Sequence, residues 1–149
     1  MTNIGALLMT YREKTSWLTL GAMVLAYSLY FGLVLAGHPA GTSPFAMLWL
    51  FGPIAATQGL VVLAGYAWLT LEARKSPRPR VDERDRAIAA RGAQMSYYVL
   101  LAGTMLVGVV MPFTDPPMRI VNSALFAIVL AELTGHVVVL TSYRRGWHG

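Results

Sequence analysis

The chain of 149 residues contains no cysteine. That excludes disulfides, thiolate nucleophiles and cysteine-ligated zinc or iron–sulfur centres. Charge is scarce as well: Asp, Glu, Lys and Arg make up 13% of the residues, against about a quarter in an ordinary soluble domain. So small a polar complement does not cover the surface of a water-soluble globule. The sequence has no glycine-rich phosphate loop, no G-x-S-x-G elbow and no H-E-x-x-H helix, so the common signatures of nucleotide binding, acyl transfer and zinc hydrolysis are missing. The three histidines, His38, His136 and His148, fall in three separate parts of the chain and make no triad. A protein without enzymatic activity is expected.

What the chain has in abundance is hydrocarbon: 56% of its residues are hydrophobic, gathered in four runs. Residues 17–36 carry no charge, and about twenty residues rising 1.5 Å each cover a hydrocarbon core of about 30 Å. A cleaved signal has a core of about 7–15 residues, shorter than this run. Further runs occupy residues 45–71, 96–111 and 120–140. Breaker-rich turns at 37–44 and 112–118 join them in pairs. The expectation is an all-α membrane protein with four transmembrane helices, one domain over residues 1–149. Residues 72–95 form a cytoplasmic linker and helical extension leading into the third span. Pro53 offers a cause for a tilt or kink in the second span, because it lacks an N–H and pushes against the carbonyl of Trp49. Residues 1–16, with Ile4, Leu7, Leu8 and Tyr11 at helical spacing, are expected to form a short helix lying in the interface.

Charge sets the orientation. Of the twelve Lys and Arg residues, only Arg119 lies at the face reached by the two tight turns. The others precede the first span, separate the second from the third, or follow the fourth. The positive-inside rule then places both termini and the charged segment in the cytoplasm. The expected location is the cytoplasmic (inner) membrane of a bacterium or archaeon. The net charge of +5 comes without a DNA- or RNA-reading motif, so anionic lipid headgroups are the expected partner and nucleic acid is not.

The charged segment has its own pattern. Ser76-Pro77-Arg78-Pro79-Arg80 resists helix, because each proline disfavours the α region for the residue before it. Asp82 then fits a helix N-cap, with Glu83 and Asp85 in the first turn where the helix dipole favours acids. Arg84 and Arg86 follow, and Asp82 with Arg86 has the spacing of a surface pair worth about 0.2–0.5 kcal/mol. One continuous helix is expected from there through the third span, with Tyr97 and Tyr98 at headgroup level. Residues 82–101, DERDRAIAARGAQMSYYVLL, resemble a family of small four-span prokaryotic membrane proteins defined as a domain of unknown function. The matching positions are Asp82, Glu83, Arg84, Ser96, Tyr97 and Tyr98. The resemblance implies a four-helix integral membrane protein and assigns no activity.

Glu132 is the most informative single residue. It falls near the middle of the fourth run, where a charge costs about 2.5–3.5 kcal/mol on insertion scales. His136 stands one turn further on the same face, and Asn122, Leu125 and Val129 continue that face the other way. The polar set expected inside the membrane is Glu132, His136, Gln58, Asn122 and Thr104. It reads either as structural glue, with Glu132 bonded to Gln58, Thr104 or a second copy, or as a site for a proton, a cation or a polar ligand. Two small-residue series, Ser28–Gly32–Ala36 and Ala127–Ala131–Gly135, are spaced for close helix packing. The second can take a partner helix from this chain or from another copy, and a dimer on it would bring Glu132 near the symmetry axis. His38 and Asp115, in the two turns, form a weaker candidate pair. Three functions compete: an accessory or regulatory membrane module working through self-association or another membrane protein, a small proton- or cation-coupled transporter acting as a homo-oligomer through Glu132 and His136, and haem or quinone binding through His136. No cofactor and no metal is assigned.

Overall fold

A computed structural model of the protein describes residues 11–73 and 83–145. Four long helices carry it: α1 (Tyr11–Leu35), α2 (Pro44–Ala73), α3 (Glu83–Met105) and α4 (Pro117–Arg144). All four are long and apolar enough to cross a membrane, and no strand occurs among the described residues. Lipid offers no partner for a bare backbone N–H or C=O, so helices that satisfy their own backbone are what such runs form.

α1 begins at Tyr11, so residues 11–16 belong to the first long helix rather than to a separate interfacial one. Residues 1–10, which carry the rest of that expectation, lie outside the described residues, as do Asp82 with its expected cap and pairing. α2 runs unbroken through Pro53. Past Met105, α3 continues as one turn of π-helix, Leu106–Val110, and a 3₁₀ turn, Met111–Phe113. Pro112 supplies the reason. It has no N–H to give to Gly108, so the ladder is rebuilt with the Met111 N–H reaching back to Leu106 O. The other tight turn contains a 3₁₀ segment, Pro39–Gly41, next to Gly37 at φ +91°, the one described residue with a left-handed backbone.

Neighbouring helices follow the order α2–α1–α4–α3, with α2 and α3 at opposite ends of the row. The α3–α4 contact is the most extensive, and small residues explain it. A Cβ on Gly92 would lie 2.7 Å from Val139 Cγ2 and 3.1 Å from Gly135 O, and a Cβ on Gly135 would lie 2.5 Å from Ser96 Oγ. On Gly103 it would meet the Ala127 Cβ at 2.7 Å. Ser96 Oγ donates to the Ala131 carbonyl at 2.6 Å. The Ala127–Ala131–Gly135 series is thus taken up by α3 of the same chain, which leaves it no room for a second copy. Ser28, Gly32 and Ala36 have the same spacing but are exposed, with nothing within 4 Å of a Cβ on Gly32.

That α3–α4 register also sets depth. Tyr143 OH donates to Asp85 Oδ1 at 2.7 Å, so the first turns of α3 run beside the last turns of α4. Tyr97 and Tyr98 consequently stand beside the middle of α4 rather than beside one of its ends.

Aromatic packing joins α1 to its neighbours. Tyr30 is fully buried, edge-on to Phe31 and Phe51 at centroid distances of 5.1 and 5.5 Å, and its hydroxyl donates to Asn122 Oδ1 at 2.7 Å. Phe31 meets Phe126 edge-on at 5.3 Å. Toward the end carrying the chain termini, α1 is tied to α2 by Thr19 to Tyr66 at 3.0 Å and Tyr11 to Thr70 at 2.9 Å.

Candidate functional site

Between α1, α3 and α4 a cleft of about 600 Å³ extends along α4 from Tyr143 to Ala131. Asp85 and Tyr143 line the end of it nearest the start of α3 and the end of α4, joined by their hydrogen bond. Thr15 and Ser16, both buried, form the α1 wall. His136 and then Glu132 lie further along α4. From Tyr143 to His136 is seven residues, about 10 Å of helix, and one more turn of about 6 Å reaches Glu132. The polar groups of the cleft therefore follow α4 for about 16 Å, a length about half the thickness of a hydrocarbon core. The helical spacing read from the sequence accounts for the Glu132–His136 neighbourhood. The cleft around it comes from the small residues Ala89, Gly92 and Ala93 on α3 facing Gly135 on α4.

Glu132 is exposed to this cleft and makes no hydrogen bond or ion pair with any described residue. The expected bonds to Gln58 and Thr104 are not formed. Gln58 lines a separate crevice between α1 and α2, with Thr57, Ile54 and Pro53, and Thr104 is exposed on α3. Asn122 is occupied elsewhere: it accepts from Tyr30, and its amide donates to Met118 O at 2.9 Å and Ala40 O at 3.4 Å. Ten residues, about 15 Å of helix, separate it from Glu132. Of the five polar residues expected to act together, the structure brings two together, Glu132 and His136.

His38 and Asp115 are also engaged apart. His38 Nδ1 accepts from the Ala40 N–H at 3.1 Å and so caps its own turn. Asp115 pairs with Arg119 at 3.0 Å and accepts from Thr114 Oγ1 at 2.9 Å. Among the described residues no group of three or more His, Asp or Glu is placed to hold a metal ion. In the charged segment, Glu83, Arg84, Asp85 and Arg86 open α3, with Glu83 and Asp85 in its first turn as expected. Asp85 is the member that reaches the cleft.

The opposite end of the molecule has a second crevice, of about 570 Å³, lined among others by His38, Arg119, Asn122, Ser123 and Phe126. Between Phe126 in that crevice and Ala131 in the first cleft lie four residues of α4, a rise of about 8 Å. Ala127 and Val129, both buried, fill that interval from α4. On α1, Phe31 meets Phe126 at the second crevice, Tyr30 bonds Asn122 there, and Tyr27 stacks on Phe51 of α2 at 6.3 Å. Sequence reasoning missed this ring packing. Its signal was the aromatic cluster Tyr27, Tyr30 and Phe31, whose partners Phe51 and Phe126 lie far along the chain.

No protein-family model, no curated protein and no solved structure matches the chain significantly. The resemblance at residues 82–101 therefore rests on those residues alone.

Proposed function

We propose that this is a small proton-coupled membrane protein in which Glu132 takes up and releases a proton through the cleft, with His136 as the neighbouring relay. One observation carries the reading: a carboxylate with no hydrogen bond or ion pair among the described residues, halfway along an apolar helix, in a cleft it shares with His136, Asp85 and Tyr143. An intramembrane acid that only held helices together would be bonded to one of them, and an unused one would be costly. A lone carboxylate beside an imidazole matches proton exchange better than metal capture, since a metal site needs three or four ligands. The two crevices support the same reading. Two crevices that each hold polar groups, separated on α4 by about 8 Å that includes buried Ala127 and Val129, are the arrangement from which access can alternate between two sides. By sequence, eleven of the twelve Lys and Arg residues precede the first span, separate the second from the third or follow the fourth, which supports placing the Asp85–Tyr143 end of the cleft on the cytoplasmic side. A Glu132→Gln variant in proteoliposomes tests the function.

A second reading, the non-enzymatic accessory module, has its own support. α2 packs on α1 at the edge of the row, and the most apolar stretch of α2 has no buried residue. A partner helix, from a second copy or from another membrane protein, would find that face open. Gentle solubilisation of native membranes followed by affinity capture should then bring down a stoichiometric partner. A protein that runs as a lone monomer under those conditions eliminates this reading.

A further inference from the structure

At the end that carries the chain termini, the start of α1, the end of α2 and the end of α4 enclose a third crevice, of about 500 Å³. It is separate from the Glu132 cleft. Leu18, Leu69 and the ring faces of Trp17 and Trp68 make its walls apolar, and Lys14 and Arg144 stand at its rim. Gly65 lets Leu18 pack closely against α2, because a Cβ there would run into the Leu18 side chain. Arg144 lies over the Trp17 ring, 5.1 Å from its centroid, and neither Arg144 nor Lys14 forms an ion pair with a described residue. Trp17 and Trp68 are both exposed at this level, where indole rings settle at a membrane–water interface.

We propose that this crevice is a binding site for one anionic phospholipid. The headgroup phosphate sits between the Arg144 guanidinium and the Lys14 ammonium, and an acyl chain lies along Trp17, Leu18 and Leu69. A guanidinium fork fits phosphate oxygens in pairs, and the indole beneath it holds the fork in place. A zwitterionic lipid would bring its own cation against Lys14 and Arg144, so the site selects net negative headgroups. Each cation near a charged surface is worth about 1 kcal/mol, which is about fivefold in affinity.

Tryptophan quenching by brominated lipids reads the site directly. In proteoliposomes of the full chain, brominated phosphatidylglycerol should quench with at least about fivefold higher apparent affinity than brominated phosphatidylcholine. Replacing Trp49 and Trp147 with Phe confines the signal to Trp17 and Trp68 and should leave that ratio unchanged. Lys14→Gln/Arg144→Gln should bring it close to one, while Arg86→Gln/Arg145→Gln, with the same loss of charge at the same end, should preserve it. Equal quenching by the two lipids in the Trp49→Phe/Trp147→Phe protein overturns the proposal, and so does an equal loss of preference in both double variants. If Lys14→Gln/Arg144→Gln does not retain its helicity, raised salt replaces it: the ratio must fall with ionic strength, and a salt-independent ratio overturns the site. Excess inorganic phosphate at constant ionic strength should leave the ratio unchanged, and reversal by it would assign the crevice to free phosphate instead.

Discussion

Glu132→Gln is expected to lower proton flux by at least about a hundredfold, the scale of a positioned acid–base group. The measurement is a pH-sensitive dye trapped in proteoliposomes, with the flux driven by an imposed potential. Glutamine keeps the shape and the hydrogen-bonding reach of the side chain and removes the exchangeable proton. Because Glu132 makes no bond to a described residue, the substitution breaks no helix contact, and the variant should fold and reconstitute like the parent. His136→Asn should slow the flux less, since His136 stands nearer the Asp85–Tyr143 end of the cleft and water can take its place. Unchanged flux in Glu132→Gln, or no flux in the parent protein, removes the transport reading and leaves the accessory one.

The second large effect concerns the seam that builds the cleft. Gly92→Ala and Gly135→Ala should each destabilise the fold by about 1–3 kcal/mol, the usual range for overpacking. At Gly92 the added carbon meets the Gly135 carbonyl at 3.1 Å, and backbone does not move aside cheaply. At Gly135 it meets the Ser96 hydroxyl at 2.5 Å, so the bond from Ser96 to the Ala131 carbonyl is lost as well. Interhelical bonds of this kind average about 0.6 kcal/mol in membranes. Gly32→Ala is the control. With nothing within 4 Å it should be neutral, or stabilising by up to about 1 kcal/mol through helix propensity. Reversible unfolding in mixed micelles ranks the three. A Gly32→Ala cost equal to that of Gly135→Ala would show that the pairing of α3 with α4 is wrong.

The four spans were legible because lipid-crossing runs announce themselves by the absence of charge, and residues 17–36 have none. The Glu132–His136 pair was legible because a four-residue spacing on a helix fixes a shared face. Neither rule says what that face meets. Asn122 has the right spacing to join Glu132, yet it bonds Tyr30, because α1 lies on that side at that depth. Ser28–Gly32–Ala36 and Ala127–Ala131–Gly135 are equivalent as patterns, and only the second found a partner. The missing signal was complementarity: Gly92 and Ser96 form their own four-residue small pair, matched to Ala131 and Gly135 in antiparallel register. A resemblance at residues 82–101 could not supply it either, since that stretch holds one side of the seam.

The cleft itself is the claim on which the rest stands, and a chain without cysteine allows it to be probed without background. Single cysteines at Ala93, inside the cleft, at Ser123, in the opposite crevice, and at Ala102, exposed on α3 away from both, can be treated in oriented vesicles with a membrane-impermeant methanethiosulfonate. Ala93→Cys should react rapidly from the side that carries the termini, Ser123→Cys from the other side, and Ala102→Cys from neither. An Ala93→Cys that reacts no faster than Ala102→Cys, or that reacts from the Ser123 side, would contradict a water-lined path to Glu132.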